Sequence, residues 1–319
     1  MIKKRKKSRN KKLGLILAAE VLVFVGLLVG YGWYYVNHSL DLVAKDTTSK
    51  DEIDVSDAVT DTMKEKYRTI ALFGLDARTS DDMTKEGVAH SDAVMIACIN
   101  NDTHEVKIAS VYRDCFLEMA RSTPSTQKYT HAYFLGGPTC AVETLNKNLD
   151  LNIKDYVSVN FEALARAIDA LGGVTINVKE KELNNLNKNL QEQVQVTGIQ
   201  SEGVWSAGEQ TLNGTQATAY ARIRKVGNGD FERTQRQRAV IAAMVKKAKE
   251  SDLATLNKVI EQVFPLVATN MSNKEIMDLA SNIFNYELGD NIGFPLSNET
   301  PTLGSKGSVV VPADLLSNV

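Results

Sequence analysis

Two aspartates stand next to the ends of predicted strands. Asp76 lies just beyond Thr69–Phe73, and Asp92 directly precedes Ala93–Asn100. Sheet proteins commonly place their sites at strand ends, and Mg²⁺ prefers oxygen ligands that it shares with the phosphates of a bound ligand. The two carboxylates are therefore candidate ligands for Mg²⁺, or for Mn²⁺ in its place. Turn or capping positions use the same residue types, and the spacing leaves that alternative open.

Arginines form the second group of candidate residues. Arg113, followed by Asp114, comes just after the predicted strand Glu105–Val111, although such a pair is also typical of a surface ion pair. A denser cluster lies further along the chain and consists of Arg222, Arg224, Lys225, Arg233, Arg236 and Arg238. Guanidinium groups bind phosphate in a planar, bidentate way that lysine does not match. This cluster, which also holds Asp230 and Gln237, predicts an anion site, with a solvated helix face as the alternative.

These two groups of residues together suit a pyrophosphate. A divalent cation held by carboxylates would bridge the phosphate oxygens, and the guanidinium groups would take up the remaining negative charge. An exported, membrane-anchored domain of this kind would meet a pyrophosphate that is carried on a lipid.

The three cysteines are a separate question. Cys98 lies within an apolar predicted strand, which favours a buried and unreactive side chain. Exported proteins can keep disulfides, so we predict a structural disulfide between Cys115 and Cys140. Neither a nucleophilic Cys115 nor a zinc site is favoured, because the four histidines lie at no suggestive spacing from the cysteines.

The N-terminal residues predict a membrane anchor. Residues 1–12 carry eight basic side chains and no acid, and Leu13–Val36 is nearly all apolar, with Glu20 as its one charge. At a rise of about 1.5 Å per residue, this run can cross a hydrocarbon core of about 30 Å. A cleaved signal peptide, the alternative, would have a shorter apolar run and a small-residue cleavage site. The positive flank places the N-terminus in the cytoplasm and everything after the span outside the membrane.

The rest of the chain predicts one mixed α/β domain. It has 29 bases and 38 acids, so the only strongly basic segment lies against the membrane, which disfavours nucleic-acid binding. Residues 37–66 are polar and predict a linker, and residues 67–319 predict a single domain. The strand predictions are Thr69–Phe73, Ala93–Asn100, Glu105–Val111, Val174–Val178 and Gly307–Val311, and the helix predictions are Cys140–Asn148, Phe161–Leu171, Arg233–Ser251, Leu253–Val267 and Asn273–Asn285.

Five ordered stretches show a family resemblance over most of residues 68–245. They are LFGLDAR at 72–78, SDAVM at 91–95, ASVYRD at 109–114, DALGGV at 169–174, and LNG at 212–214, which leads through AYARIR at 219–224 to GDFER at 229–233 and RQ at 236–237. In these residues and their order the sequence resembles the LytR–CpsA–Psr family of bacterial cell-wall proteins.

The resemblance implies a fold and an activity. The fold would be a single α/β/α sandwich with a mixed central sheet and an apolar lipid pocket, preceded by one transmembrane helix in the cell membrane. The activity would be transfer of an anionic glycopolymer, such as wall teichoic acid or capsule, from a polyprenyl-pyrophosphate carrier to peptidoglycan through a new phosphodiester. The alternatives are a phosphatase that hydrolyses the same lipid pyrophosphate and a non-catalytic regulator or attenuator of envelope assembly.

The resemblance also assigns roles residue by residue. Asp76 and Asp92 would be the Mg²⁺ ligands, and Asp92 or Asp114 would help to deprotonate the acceptor hydroxyl. The residues that would bind the pyrophosphate are Arg78, Arg113, Arg222, Arg224, Arg233 and Gln237.

Overall fold

The computed structural model describes residues 38–46, 49–123 and 125–313. The chain divides into two units, Met1–Leu42 and Val43–Val319, and only residues 38–42 of the first unit are described. The predicted basic tail of residues 1–12 and the predicted membrane helix of residues 13–36 lie outside the described residues. Among the described residues, no helix combines the length and the apolar character needed to cross a bilayer.

A seven-stranded mixed sheet forms the centre of the second unit. The strands of the described residues, in the central sheet and outside it, are β1 (Ala44–Lys45), β2 (Tyr67–Leu75), β3 (Ser91–Asn100), β4 (Glu105–Val111), β5 (Phe116–Glu118), β6 (Thr126–Lys128), β7 (Asp155–Asn160), β8 (Val174–Val178), β9 (Gly208–Leu212), β10 (Val267–Thr269), β11 (Glu287–Phe294), β12 (Asn298–Glu299) and β13 (Val311–Pro312). The order in the sheet is β1-β10-β7-β2-β3-β4-β11. β2 runs antiparallel to β3 and parallel to β7, which makes the sheet mixed.

Helices surround this sheet. They are α1 (Asp61–Lys66), α2 (Thr130–Leu149), α3 (Phe161–Ala170), α4 (Leu183–Thr197), α5 (Gly214–Ala221), α6 (Asp230–Lys249), α7 (Leu253–Val263) and α8 (Asn273–Ser281). Short 3₁₀ turns lie at Lys50–Glu52, Asp81–Thr84, Glu180–Glu182, Phe264–Leu266 and Gly304–Lys306. The helical geometry of α2 breaks at Gly136 and Gly137.

Alternating side chains of the central strands bury both faces of the sheet. In β2, Ala71 and Phe73 join the large core that includes Val142 and Leu145 of α2. Ile70 lies in a second cluster on the other face, which α8 partly covers. Period-two burial with helices over both faces confirms the α/β/α sandwich and its mixed sheet.

A third apolar cluster supports the segment that carries the arginines. It packs β8 and β9 against α3, α5 and α6. A Cβ atom on Gly214 would lie 2.0 Å from the main-chain oxygen of Ala165, so only glycine allows this approach of α5 to α3. Asp169 accepts a hydrogen bond from the Gly214 main-chain N–H at 2.7 Å. The DALGG and LNG stretches of the sequence therefore form one packed junction.

The domain begins earlier than the sequence predicts. Residues 37–66 were predicted to be a linker, but Ala44–Lys45 pairs in parallel with Val267–Thr269 at the edge of the sheet. Ile53 also belongs to the large core. The strand that pairs with Ala44–Lys45 lies more than 200 positions away along the chain, which no local pattern reveals.

Ion pairs also tie this segment to the sheet. Lys50 pairs with Asp155 and contacts Glu275 at 2.6 Å, and Arg68 donates to the same Asp155 at 2.7 Å. Burial tends to raise the pKa of Glu275, but hydrogen bonds from Lys50 and Ser272 outweigh this and lower the pKa to about 2. Since this value lies below the usual 4.5, the carboxylate stabilises the fold above pH 4.5, and that contribution is lost as the pH falls toward 2.

We therefore expect the free energy of unfolding of the Glu275→Gln variant to depend less on pH than that of the parent protein. At pH 7 the variant should have a free energy of unfolding lower by on the order of 1 kcal/mol, a modest value because the side chain is one-third exposed. Urea titrations of both proteins at pH 7 and pH 3 measure the difference. It should shrink at pH 3, whereas Glu65→Gln, on the exposed helix α1, should show no such pattern. An equal difference at both pH values would contradict the assignment.

Candidate functional site

One cavity of about 340 Å³ brings together six of the predicted site residues. It lies where β3 begins, where β4 ends and where α6 begins. The predicted residues that line it are Asp92, Arg113, Arg222, Arg224, Arg233 and Gln237, and the other lining residues are Phe161, Asn185, Lys188, Asn189, Glu192 and Lys225.

Asp92 and Arg113 meet across the ends of two paired strands. The pairing of β2 with β3 shifts in register between Gly74 and Leu75, which leaves Asp92 as an extra residue beside a regular ladder. Its Oδ1 accepts from Arg113 Nη1 at 2.5 Å and lies 3.8 Å from Arg224 Nη2. The predicted acid and two of the predicted arginines are thus in contact.

Asp230 holds three guanidinium groups together. This first residue of α6 lies 3.3 Å from Arg233 Nη1, 3.5 Å from Arg224 Nε and 3.6 Å from Arg113 Nε. The sequence places Asp230 within the basic cluster but does not show that it is the shared partner. An acidic residue at the start of a helix, directly after a glycine loop, is the signal that pointed to it.

The surroundings of Arg233 and Arg113 act on their guanidinium charges in opposite directions. The side chain of Arg233 is only 3% exposed, and its Nη2 donates to the main-chain oxygen of Asp92 at 3.3 Å. Burial lowers its pKa to about 10, which still leaves it charged at neutral pH. Burial also opposes the charge of Arg113, but Asp92 and its other acidic neighbours outweigh this and raise the pKa.

Three buried polar atoms of the cavity lack a hydrogen-bond partner among the described residues. They are Arg113 Nε, Arg233 Nε and Gln237 Oε1. Buried polar atoms are nearly always paired in native proteins, by protein, water or ligand. The indication of an anionic ligand comes instead from the four arginines that line the cavity, Arg113, Arg222, Arg224 and Arg233.

Helix α4 supplies a wall of the cavity that the sequence did not reveal. Asn185, Lys188, Asn189 and Glu192 share one face of this helix at spacings of three and four residues. Next to them, Arg222 donates to Gln193 Oε1 at 2.8 Å, and its guanidinium group lies 5.1 Å from the centre of the Phe161 ring. The polar face of this helix thus completes the arginine site.

Three predicted site residues lie outside the lining of the cavity. Asp76 stands at the end of β2, half-exposed, and accepts from the main-chain N–H of His90 at 2.6 Å. Arg78 is exposed, so its predicted role in binding pyrophosphate is not supported by its position. Asp114 lies behind Arg113, 2.9 Å from Lys128 Nζ. Burial tends to raise the pKa of Asp114, but the neighbouring cations Lys128 and Arg113 help to lower it below its usual value.

Two arginines of the basic cluster have structural partners instead. Arg236 is buried and pairs with Glu182 at 2.8 Å, while donating to the main-chain oxygens of Ile223 and Val226. Arg238 donates to Asn291 Oδ1 at 3.0 Å. The cluster is therefore an anion site only in part.

The predicted disulfide is wrong. Cys98, Cys115 and Cys140 are all free thiols. Cys115 Sγ lies 3.9 Å from the main-chain oxygen of Phe294, while Cys140 Sγ lies 4.0 Å from Thr144 Oγ1 within α2, so the two sulfurs have different neighbours. Burial raises the pKa of both thiols, which also argues against a nucleophilic Cys115.

Comparison with known proteins identifies the family of this chain. Residues 32–292 match the profile of the LytR_cpsA_psr family. Two relatives are named polyisoprenyl-teichoic acid–peptidoglycan teichoic acid transferase TagU. The one from Bacillus subtilis is 28% identical over 87% of this chain and 85% of its own, and the one from Bacillus mycoides is 31% identical over 86% and 82%. The crystal structure of protein gbs0355 from Streptococcus agalactiae aligns with a TM-score of 0.67 at 27% identity, covering 80% of this chain and 86% of that one.

Proposed function

Because the chain belongs to the LytR_cpsA_psr family, we propose that it transfers an anionic glycopolymer from a polyprenyl-pyrophosphate carrier to peptidoglycan. Wall teichoic acid is the polymer in the names of its TagU relatives, and a capsule-like polymer would suit the same chemistry. The observation that carries the proposal is the arginine cavity, where Arg113, Arg224 and Arg233 converge beside Asp92.

The arginines fit a reaction at phosphorus. A hydroxyl oxygen of peptidoglycan would attack the phosphorus that bears the glycan, forming a phosphodiester as the bond to the departing polyprenyl phosphate breaks. Arg113, Arg224 and Arg233 already converge on Asp92 and Asp230, so their positions are fixed before the substrate arrives. Preorganised donors of this kind stabilise charge that develops in the transition state without further rearrangement.

The proton of the attacking hydroxyl needs an acceptor. Asp92 lines the cavity, whereas Asp114 lies behind Arg113 and contacts Lys128. We therefore propose that Asp92, rather than Asp114, accepts the proton of the attacking hydroxyl.

Magnesium is part of the proposal, and the carboxylates present fit it. Among residues 38–46, 49–123 and 125–313, no group of three or more acidic, histidine or cysteine side chains is placed to hold a metal. Mg²⁺, however, is usually held by one or two carboxylates together with water and substrate phosphates. Asp76 and Asp92, near the paired ends of β2 and β3, would be that pair, and the ion would supply positive charge against the pyrophosphate.

A location outside the cytoplasm agrees with this substrate. We propose that residues 13–36 anchor the protein in the cell membrane, with the N-terminus in the cytoplasm. The domain would then act on the outer side, where peptidoglycan and the lipid carrier meet.

The experiment that tests the function is reconstitution with the full chain in detergent. The mixture contains Mg²⁺, a short-chain polyprenyl-pyrophosphate glycan and peptidoglycan oligomers, and mass spectrometry follows the products. We expect a phosphodiester-linked adduct, formed about 100-fold or more slowly by Asp92→Asn. The control is Asp102→Asn, in the exposed turn between β3 and β4, which should behave as the parent.

Other outcomes have distinct meanings. Release of phosphate or phosphosugar without an adduct would replace the transferase by a phosphatase that uses water as the acceptor. Tight lipid binding without turnover would replace it by a regulator. Equal rates with Mg²⁺ and with a chelator would remove the metal from the mechanism.

A further inference from the structure

An exposed tryptophan, Trp205, lies next to helix α4. The side chain of Trp205 is 81% exposed, the highest value among the large hydrophobic side chains of the described residues. Single exposed apolar side chains are common, so exposure alone assigns nothing. The surroundings of the ring, however, are built in a specific way.

The backbone around Trp205 is fixed by α4. Asn187 donates from Nδ2 to the main-chain oxygen of Val204 at 2.8 Å and accepts from the Val204 N–H at 2.8 Å. Val204 itself is buried. The indole ring lies against Gly203, where an added Cβ would be 2.5 Å from Cζ2 of the ring. One side of the ring therefore rests on a glycine, and the exposed remainder is available for a ligand.

A groove of about 600 Å³ runs beside this ring. Apart from the ring, it is lined by Leu183, Asn184, Asn187, Lys188, Gln191 and Val204. Asn184, Lys188 and Gln191 are exposed and stand one turn apart along α4. An aromatic plane flanked by side-chain amides suits a sugar, because pyranose C–H groups pack on the indole while the amides pair with hydroxyl and acetamido groups.

The groove adjoins the arginine cavity at Lys188. Lys188 lines both, and the neighbouring face of α4, with Asn185 and Asn189, lines the cavity alone. A chain lying along the groove would thus reach the proposed site of phosphoryl transfer within the width of one helix, about 10 Å.

We propose that this groove binds the N-acetylated glycan strand of the acceptor peptidoglycan, an inference that rests on the proposed function. The charge of the groove selects this occupant over the donor polymer. Its lining carries a single charged side chain, Lys188, whereas a polyanionic chain would require several cations along its path. Trp205 and the amides of α4 would hold the strand with a muramic-acid hydroxyl directed toward Arg113 and Asp92.

Binding of a defined probe tests the proposal without depending on turnover. Chitotetraose, a neutral N-acetylglucosamine oligomer, is titrated by calorimetry into the full chain in detergent, and poly(glycerol phosphate) is titrated in parallel. We expect Trp205→Ala to weaken chitotetraose binding about tenfold, equivalent to about 1.4 kcal/mol, and Trp205→Phe to weaken it less. Phe284→Ala, a matched change at another exposed aromatic residue, should leave the affinity unchanged.

Transfer kinetics add a second readout. In the reconstituted reaction, Trp205→Ala should raise KM for the peptidoglycan oligomer and leave kcat and the KM of the donor nearly as they are. Equal chitotetraose affinity in the parent and Trp205→Ala would overturn the proposal, as would binding of poly(glycerol phosphate) that depends on Trp205. Chitotetraose binding that depends on Trp205 in a protein that transfers nothing would support the glycan groove and refute the transferase.

Discussion

Replacing Arg113 by lysine should reduce kcat/KM for glycopolymer transfer about 100- to 1000-fold. The planar guanidinium group of Arg113 faces Asp92, Asp114 and Asp230 at once, at 2.5, 3.7 and 3.6 Å. Its Nε is buried and faces the carboxylates of Asp114 and Asp230, so a phosphate would bind through the terminal nitrogens of the guanidinium group. A lysine ammonium is a single point charge on a flexible chain, so it can neutralise one carboxylate but not hold three while it donates to a ligand.

The lysine variant separates geometry from charge. Because the positive charge is kept, none of the three carboxylates loses all compensation, and we expect the fold to survive. Arg166→Lys is the matched control, since Arg166 is a half-exposed residue of α3 paired with Glu162 at 2.7 Å. Rates are measured in the reconstituted reaction, and folding is checked by circular dichroism. If Arg113→Lys kept its rate within about threefold of the parent, the arginine would not be bound to the reacting phosphate.

Replacing Arg236 by methionine should lower the free energy of unfolding by about 3–5 kcal/mol. Arg236 and Glu182 are both buried, and their pairing is completed by Glu232 at 2.8 Å. Removal of the guanidinium group leaves Glu182 as a buried charge without that partner, which is the costly way to break such a pair. It also leaves the main-chain oxygens of Ile223 and Val226 without their donor, and these residues flank Arg224.

A double variant shows whether the uncompensated charge is the cause. Glu182→Gln together with Arg236→Met removes the charge and keeps an acceptor for the Lys179 N–H, so it should be more stable than Arg236→Met alone. Urea denaturation of the full chain measures all three proteins, with Arg166→Met as the exposed control. A loss below about 1 kcal/mol in Arg236→Met, or a double variant that is less stable than the single one, would contradict the structural role.

Local patterns predicted the central part of the fold. Short apolar runs bounded by turn residues were sufficient for the approximate positions of β2, β3 and β4, which follow one another along the chain. β7 and β11 were missed. β11 is mostly exposed and has no strong local pattern. β7 has a typical strand composition, with Tyr156, Val157 and Val159, but it is only six residues long.

The sequence allowed prediction of the site residues that are recognisable by their type. It did not allow prediction of those that join the site only through contacts made in the fold. A strand end pointed to Arg113, and the density of guanidinium groups in one segment pointed to Arg222, Arg224 and Arg233. Helix α4 was missed because asparagine and glutamine dominate it, which weakens the helical signal.

Partners at long sequence distance account for the errors. Arg233 and Arg236 lie three positions apart on one helix, yet one lines the cavity and the other meets Glu182, 54 residues earlier. The predicted disulfide failed for the same reason. Exported location permits a bond between Cys115 and Cys140, but only the fold shows that their sulfurs have different neighbours.

The most direct test of the central claim is a structure of the full chain with Mg²⁺ and a short-chain polyprenyl-pyrophosphate glycan bound. We expect the pyrophosphate in the arginine cavity, with its oxygens on the guanidinium groups of Arg113 and Arg233. We also expect the ion between a phosphate oxygen and the carboxylates of Asp76 and Asp92. A pyrophosphate bound elsewhere on the domain, with Arg113 and Arg233 untouched, would contradict the assignment of this cavity as the site of transfer.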